Sequence, residues 1–333
     1  EVVVGIKGPH INSINHSTAI NVVRTDKEII TDDIIQVITS AKAIMLPTDR
    51  EIIHTIPQEF SVDGQKGIED PVGLECSHLS VDVHIVTGAK ACINNLQKCV
   101  NDAGFACKEF VSSILAAGEV AISSEEKKIG CVLIDMGSQT TDIAIYFDRS
   151  SRYIKEISLG GDDITNDISH GLRTSTAVAK DIKEKYGSAI TSLIDAKEEI
   201  TYLSVDGRTQ KTVTRKVLCD IIKPRVEEIL TFIDDELTKS SYKDLISAGV
   251  VITGGASQLL GMTEACEEIL QLPTIIGIPK YVRCSVDGVA NPAFACALGL
   301  VKVSFSEVER SSRYISKKPG LLTKLKKLFE DAI

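Results

Sequence analysis

The stretch VLIDMGSQTTDIAIY, residues 132–146, decides the fold because two apolar runs typical of buried strands flank one polar turn. A tight turn that contains a glycine leaves backbone N–H groups free to bind phosphate oxygens, and a carboxylate can hold a hydrated Mg²⁺. We therefore predict that Asp135 orients Mg²⁺. The predicted phosphate-binding residues follow it: Met136, Gly137, Ser138, Gln139 and Thr140. The alternative is an ordinary hairpin whose hydroxyl groups satisfy the backbone of the turn.

A second glycine turn lies in VVITGGASQLLGM, residues 250–262, where a strand ends and a helix follows. Paired glycines let the backbone approach a flat ligand closely, and a helix N-terminus favours negative charge. A Gly-Gly turn by itself is a weak signal. Together with the first turn, it predicts a nucleotide bound between the two lobes of a duplicated fold. The predicted contacts in this turn are Gly254, Gly255, Ala256 and Gln258.

Composition excludes several classes of protein. The chain has 333 residues, of which 43% are hydrophobic, so it can bury the cores of two or more domains. Its net charge of -9 argues against nucleic acid as the main partner. Nine cysteines without a C-x-x-C pair predict buried thiols in a reducing cytoplasm. We find no signal peptide or membrane-spanning run, and the opening EVVVGI leads us to expect a fragment.

Strand and helix patterns alternate along the chain, which predicts an α/β fold. Strands are expected at 50–62 and 81–88, and SSEEKKIG, residues 123–130, is expected to be a charged turn at a domain boundary. Helices are predicted at 32–45, 91–104, 160–172, 176–187 and 216–237, the last one kinked or restarted at Pro224. In the helix at 91–104 the expected inward residues are Ile93, Leu96, Cys99 and Val100. His54 and His84 are expected to be structural.

Three segments resemble the actin, hexokinase and chaperone ATPase superfamily. DMGSQTTD is similar to its second phosphate motif, GGDDIT to its ribose-side turn and TGGASQLLG to its adenosine motif. HTIPQEFSVDG followed by GIEDPVGLE, residues 54–75, is similar to the H-x-I-P-Q-E-[YF] and G-I-x-x-P-[VL]-G signature of the FtsA family of bacterial division actins. The family can be followed over residues 2–303 without a large gap.

This resemblance implies an actin-like two-lobed ATPase fold with an inserted small subdomain and a C-terminal amphipathic helix. It implies ATP and Mg²⁺ as ligands, a first phosphate motif before Glu1, and at most weak ATPase activity, since Ser138 and Gln139 replace the glycines of the family and crowd the phosphates. The expected parts are the end of a first-lobe strand (1–7), the inserted subdomain (8–86), the rest of the first lobe (87–128), second-lobe core (129–160 and 246–304), an outer subdomain (161–245), a linker (305–319) and the helix (320–333).

The resemblance also assigns further residues and partners. It places Gly161 at the ribose and the helix of Lys183 and Glu184 beside the adenosine, although i,i+4 charge pairs on a solvated face are the alternative for that helix. It implies a protein that polymerises at the inner face of the cell membrane at the division site, anchors the FtsZ ring and recruits later division proteins. The competing functions are a pilus-assembly ATP-binding protein and a small-molecule kinase. The pilus relative is not expected to carry IPQE and PVGL, and we find no insert motif of a kinase.

The family groove for the acidic, apolar C-terminal tail of FtsZ lies in the outer subdomain of the second lobe, and we assign it to the helix RKVLCDIIKPRVEEIL, residues 215–230. Basic residues there surround an apolar stripe of Val217, Ile221 and Ile222, and charged rims favour association with an acidic peptide. The basic residues are Arg215, Lys216, Lys223 and Arg225. The alternative is a core helix with a basic, solvated face.

The end of the chain, GLLTKLKKLFEDAI, separates apolar from charged residues around a helix. It is too short to span a bilayer but can lie in the interface of an anionic membrane, where each lysine adds about 1 kcal/mol. The membrane-binding residues are predicted to be Leu321, Leu322, Lys324, Leu325, Lys327, Leu328 and Phe329. The alternative is a helix that packs its leucine face on its own protein.

Overall fold

The computed structural model describes residues 1–280 and 288–315, with side chains as far as Phe305. Strands and helices alternate, as the sequence predicts. The elements before the phosphate turn are β1 (Val2–Ile6), β2 (Asn12–Asn21), α1 (Thr31–Lys42), β3 (Arg50–Val62), β4 (Gln65–Ile68), β5 (His78–Ala89), α2 (Lys90–Asp102), β6 (Cys107–Ser112), α3 (Ser113–Ala121), α4 (Ser124–Ile129) and β7 (Cys131–Met136).

The remaining elements continue the alternation. They are β8 (Thr141–Phe147), β9 (Ser150–Ile157), α5 (Gly161–Leu172), α6 (Thr176–Tyr186), β10 (Glu199–Leu203), β11 (Gln210–Thr214), α7 (Arg215–Lys239), β12 (Val250–Thr253), α8 (Met262–Leu270), β13 (Thr274–Ile276) and α9 (Ala295–Ile315). Within 1–280 and 288–315, none of the helices has the length and apolar character needed to cross a bilayer.

A five-stranded sheet forms the centre of the second lobe, in the order β13-β12-β7-β8-β9. β12 is parallel to β13 and β7, whereas β7, β8 and β9 form an antiparallel meander. Successive residues of β7 face opposite cores: Val132 and Ile134 pack with α5, α7 and α8, and Leu133 packs with α3. A strand covered on both faces has no polar side, which explains the unbroken apolar run. The predicted strands at 132–146 are confirmed.

The inserted subdomain is a four-stranded antiparallel sheet, β2-β5-β3-β4, with α1 packed on one face. It joins the second lobe where β2 passes beside β9. The Ser13 hydroxyl donates to the Ile154 carbonyl at 3.1 Å and accepts the Ile154 N–H at 3.0 Å, and the Asn15 amide donates to the Arg152 carbonyl at 3.0 Å. Side chains of one sheet thus cover the open edge of the other.

Two cysteine predictions are wrong. The thiols of Cys92 and Cys99 are exposed on α2, where Ile93 is the buried residue and Leu96 is partly buried. The helix packs through a narrower face than its apolar pattern indicates, and Cys99 lies on the outer side. The other described cysteines are buried or half-buried, and none of the described cysteines forms a disulfide.

The predicted charged turn at 123–130 is wrong, because its central residues form α4. The helix begins with a capping box: the Ser123 hydroxyl accepts the Glu126 N–H at 3.2 Å, and the Glu126 carboxylate accepts the Ser123 N–H at 2.7 Å. These bonds satisfy N–H groups that a helix N-terminus otherwise leaves unpaired. Six residues can therefore form a helix although the segment has no apolar face.

Helix α7 is longer than predicted, and α9 was not predicted from the sequence. α7 continues through Pro224 for 25 residues without a restart, since buried residues before and after the proline, such as Ile222 and Val226, hold it against the core. α9 extends to Ile315, so the predicted linker at 305–319 is wrong over its first part. The predicted membrane helix at 320–333 lies outside the described residues.

His54 joins the inserted subdomain to the first lobe, where β1 and β6 form a parallel pair. Its Nε2 accepts the N–H of Ser112, the last residue of β6, at 2.8 Å. Burial lowers the pKa of His54 from 6.5 to about 4 and that of His84 to about 3. Both histidines are therefore neutral and structural at neutral pH, as predicted.

These lowered pKa values predict acid destabilisation. Between about pH 6.5 and pH 4, His54 is protonated in the unfolded chain but neutral in the folded protein. The stability present above this window is therefore lost as the pH falls through it. We expect His54→Gln, which keeps a hydrogen-bond acceptor, to remove about 1 kcal/mol of the loss in unfolding free energy between pH 7 and pH 5.5. Denaturant titrations at both pH values measure it. The control is the exposed His170→Gln, and an equal loss in both variants would contradict the prediction.

Candidate functional site

The turn between β7 and β8 is held closed and docked on the start of α5. The Gly137 N–H donates to the Thr140 carbonyl at 2.9 Å. The carbonyls of Gly137 and Ser138 accept the N–H groups of Gly161 at 2.9 Å and Asp162 at 2.7 Å. Among the described residues, no protein hydrogen bond uses the N–H of Ser138 or of the next residue. The turn therefore presents free donors, which phosphate binding requires.

The two glycines of the second turn have different roles. Gly254 has a φ of 88°, and a Cβ there would lie 2.3 Å from Asp135 Oδ1, so the fold itself requires this glycine. Gly255 is exposed, and apart from its own chain neighbours no atom of the described residues lies within 4 Å of the position that its Cβ would take. Open space beside backbone suits a flat ligand. Gln258 is held at this turn because its Oε1 accepts the Asn291 amide at 2.9 Å.

Three predicted segments meet at Gly161. A Cβ at this residue would lie 3.2 Å from the Ala256 Cβ, 3.4 Å from the Lys183 Nζ and 3.5 Å from the Gly137 carbonyl oxygen. The phosphate turn, the glycine turn and α6 are far apart in sequence but in contact here. The structure thus brings together most of the residues predicted to hold the nucleotide.

Lys183 and Glu184 are placed differently. The Lys183 ammonium donates to the Gly161 carbonyl at 2.6 Å and to the Thr165 hydroxyl at 2.7 Å, and burial lowers its pKa. Lys183 therefore links α6 to α5 at the site. The Glu184 carboxylate is exposed and lies 3.9 Å from the Lys180 ammonium, which fits the alternative of a solvated i,i+4 pair.

A row of buried acids crosses the sheet beside the turn. Strand register aligns Asp135 on β7 with Asp142 on β8, and Asp142 with Glu156 on β9, so the three side chains share one face. Each of these residues is less than 9% exposed. Burial raises the pKa of Asp135, and burial together with Glu156 raises the pKa of Asp142 well above its usual value. The Lys7 ammonium lies 4.0 Å from Asp142 Oδ2.

Sequence reasoning missed Lys7, Asp142 and Glu156. Asp142 stands inside the quoted stretch, but the pairing of β8 with β9 is needed to show that Glu156 lies beside it. Lys7 directly follows a strand, and only the contact between that strand end and the turn reveals its place. Asp142 ends the phosphate motif DMGSQTTD and could have been found there, whereas Lys7 and Glu156 belong to no local spacing pattern.

The site fits Mg²⁺ that arrives with a nucleotide better than a resident metal. Among the described residues, no group of three or more His, Cys, Asp or Glu side chains could hold a metal ion. Mg²⁺ usually keeps several waters and binds one or two carboxylates together with substrate phosphates. Asp135, next to the free donors of the turn, can supply such a carboxylate.

The predicted partner-binding residues of α7 are all paired with acids. The Arg215 guanidinium lies 2.8 Å from Glu198, and the guanidinium of Arg225 lies 2.6 Å from Asp167. The other two ammonium groups form i,i+4 pairs within the helix: Lys216 with Asp220 at 3.0 Å and Lys223 with Glu227 at 3.6 Å.

The apolar stripe predicted for α7 is partly wrong. Ile222 is fully buried in the core, since it lies on the face that packs under the sheet, whereas Val217 is 43% exposed. A cavity of about 310 Å³ lies nearby between α6 and β10, lined in part by Ile182, Tyr186 and Tyr202. The Arg215 side chain donates to the Tyr186 carbonyl at 2.8 Å, so the first turn of α7 adjoins this cavity.

Comparison with known proteins identifies the family. The model of "Cell division protein FtsA" matches residues 132–299, and that of the "SHS2 domain inserted in FTSA" matches residues 8–87. FtsA of Pseudomonas aeruginosa is 38% identical over 298 residues, which are 90% of this chain and 71% of the relative. The second match agrees with the inserted subdomain predicted at 8–86.

Solved structures show the same fold at low identity. MreB5 of Spiroplasma citri bound to AMPPNP has a TM-score of 0.56 and 17% identity, with 68% of this chain and 67% of that chain covered. The PilM–PilN type IV pilus biogenesis complex has a TM-score of 0.58 and 16% identity, with 88% and 76% covered. These likenesses confirm the actin-like fold. On the family models and the relative, the chain belongs to the FtsA family of cell division proteins.

Proposed function

We propose that this member of the family binds ATP with Mg²⁺, forms filaments at the inner face of the cytoplasmic membrane, anchors the FtsZ ring there and recruits later division proteins. The observation that carries the nucleotide is the meeting of three segments at Gly161, beside the free donors of the turn. MreB5, which shares the fold, was solved with AMPPNP, and this supports the same ligand class here.

In the proposed complex the adenine lies against Gly255, where the backbone is open, and the phosphates lie at residues 137–140. Mg²⁺ neutralises phosphate charge when it is bound. Asp135 would hold the ion, and the start of α5 supports the turn through the two hydrogen bonds from Gly161 and Asp162. Ser138 and Gln139 occupy positions where larger side chains limit the room around the phosphates. ATP hydrolysis is therefore expected to be weak or absent, and ATP acts through assembly.

Family membership favours this proposal over the two alternatives. The pilus-assembly hypothesis has support from the PilM likeness, but at 16% identity that likeness shows the fold alone. A small-molecule kinase would transfer phosphate to an acceptor held between the lobes, and the relatives named above give no support for such an acceptor. Electron microscopy of the full-length protein on lipid monolayers with ATP separates the hypotheses, because filaments on the lipid are expected only for the division protein.

The tail of FtsZ is proposed to bind at α7. Lys216 and Lys223 form exposed i,i+4 pairs, which are worth only a few tenths of a kcal/mol, so both can exchange their partners for an acidic peptide. Val217 offers exposed apolar surface at the same helix. The cavity beside Tyr186 adds a pocket for an apolar side chain of the peptide.

Two variants that should prevent ATP binding test the assigned nucleotide site. Asp135→Ala removes the anchor of the metal and Gly255→Val fills the space of the ligand, so each is expected to abolish ATP binding in the full-length protein. Gly255 can accept a side chain without a clash inside the protein, so its variant should keep its melting temperature. Calorimetric titration with Mg-ATP measures the effect. The control is Asp220→Ala on α7, and unchanged ATP affinity in both site variants would refute the assignment.

Charge reversal tests the partner surface. Lys216→Glu together with Arg225→Glu is expected to weaken binding of an FtsZ tail peptide tenfold or more, at about 1.4 kcal/mol per decade, since acidic residues would then repel the peptide. Fluorescence anisotropy with a labelled peptide measures it. Arg225 also holds Asp167, so Lys216→Glu with Lys223→Glu serves as a second variant that leaves this bond intact.

The matched control reverses two exposed charges outside α7, Lys66→Glu with Lys98→Glu. Peptide affinity that falls equally in the control would show a general charge effect. Affinity that stays constant in both α7 variants would exclude this helix as the binding surface.

Acidic substitutions test the membrane segment. Leu325→Glu with Phe329→Glu should release the full-length protein from anionic liposomes, because charged side chains cannot enter the interface from the apolar side of the helix. Sedimentation with liposomes measures the release, and the melting temperature is expected to stay constant. Leu325→Met with Phe329→Leu keeps the apolar side and should still sediment. A large loss of thermal stability would instead place this helix on the globular body.

A further inference from the structure

Lys7 stands at the point where the first lobe, the inserted subdomain and the phosphate turn meet. Its backbone is fixed from both sides. The preceding residue, Ile6, pairs with Ser112 on β6, and the N–H of the following residue, Gly8, donates to the Glu156 carboxylate on β9. The base of the Lys7 side chain is therefore held beside the sheet that carries the turn.

The ammonium group of Lys7 reaches the turn itself. Its Nζ lies 3.2 Å from the position that a Cβ at Gly137 would take, next to the free N–H groups of the turn. The Lys7 side chain is 45% exposed, whereas that of Asp142, its neighbour, is 6% exposed. The charge of Lys7 thus lies between the buried acids and the open side of the turn.

The pairing of Lys7 with Asp142 is loose. At 4.0 Å the two charges attract each other but form no hydrogen bond, and Asp142 Oδ2 has no hydrogen-bond partner among the described residues. A half-exposed ammonium in such a pair loses little free energy when it moves to a second anion. Lys7 can therefore turn toward an anionic ligand without breaking a strong bond.

The charges around the turn require a cation when a polyphosphate binds. Asp135, Asp142 and Glu156 lie together there, and a polyphosphate adds further negative charge close to them. Lys183, the other lysine at the site, already donates to Gly161 and to the Thr165 hydroxyl. Mg²⁺ supplies part of the required positive charge, and Lys7 is placed to supply more.

We propose that the Lys7 ammonium binds the polyphosphate of the nucleotide at the 137–140 turn and leaves Asp142 when the nucleotide enters. The inference rests on the proposed function, because it assigns one more residue to the same site. A contact of this kind acts on phosphate alone. Lys7 should therefore contribute to the binding of ATP and ADP and contribute nothing to the binding of adenosine.

The test compares ligands with and without phosphate in the full-length protein. ATP, ADP and adenosine are titrated calorimetrically against wild type, Lys7→Met, Lys7→Gln and Lys7→Arg, with Mg²⁺ present. Loss of a charge-assisted hydrogen bond predicts that Lys7→Met and Lys7→Gln bind ATP at least about tenfold more weakly. Adenosine affinity should stay constant. Lys7→Arg should keep most of the ATP affinity, and Lys66→Met, at an exposed lysine on β4, serves as control.

Two results would overturn the inference: ATP affinity that is unchanged in Lys7→Met and Lys7→Gln, or an equal loss for ATP and adenosine, which would show that Lys7 only supports the fold. Melting temperatures of both variants identify the second case. If the proposed function is wrong, wild type itself binds no ATP. That result differs from both outcomes above, and it would also remove the proposed role of Lys7.

Discussion

The site depends on two hydrogen bonds between the start of α5 and the turn, from Gly161 N–H to the Gly137 carbonyl and from Asp162 N–H to the Ser138 carbonyl. The first N–H groups of a helix have no partner within the helix. Here the carbonyls of the turn accept them, so the helix start and the turn both gain hydrogen-bond partners. The close approach excludes a side chain at Gly160, whose Cβ would lie 2.6 Å from the Ser138 carbonyl oxygen.

The buried acids explain why this site needs a positive partner. Three ionised carboxylates in one buried row would cost several kcal/mol, and this burial raises the pKa values of Asp135 and Asp142. Glu156 gains one backbone donor from Gly8. A cationic group beside the row offsets part of this cost, because it attracts the carboxylates.

Local signals were enough to predict the strands and the glycine turns, because alternation and glycine act over a few residues, whereas the inserted subdomain was expected from the family resemblance. Local signals could not predict the alignment of Asp142 with Glu156, since it depends on the hairpin between β8 and β9. That hairpin turns at Asp148 and Arg149, both with positive φ, without the glycine that usually marks such a turn. The capping box at 123–126 is present in the sequence, but the segment lacks the apolar face that usually indicates a helix. The remaining features of the fold and the site depend on contacts between elements that are distant in sequence.

At the junction between β2 and β9, one strand contributes side-chain groups and the other contributes main-chain groups. Ser13 and Asn15 contribute side chains, but β9 contributes only the main-chain groups of Ile154 and Arg152. Every residue except proline offers the same main-chain groups. Substitutions along β9 therefore leave the junction intact as long as the strand keeps its path, whereas a single change at Ser13 removes two bonds at once. At this contact the specific side chains are therefore those of the inserted subdomain.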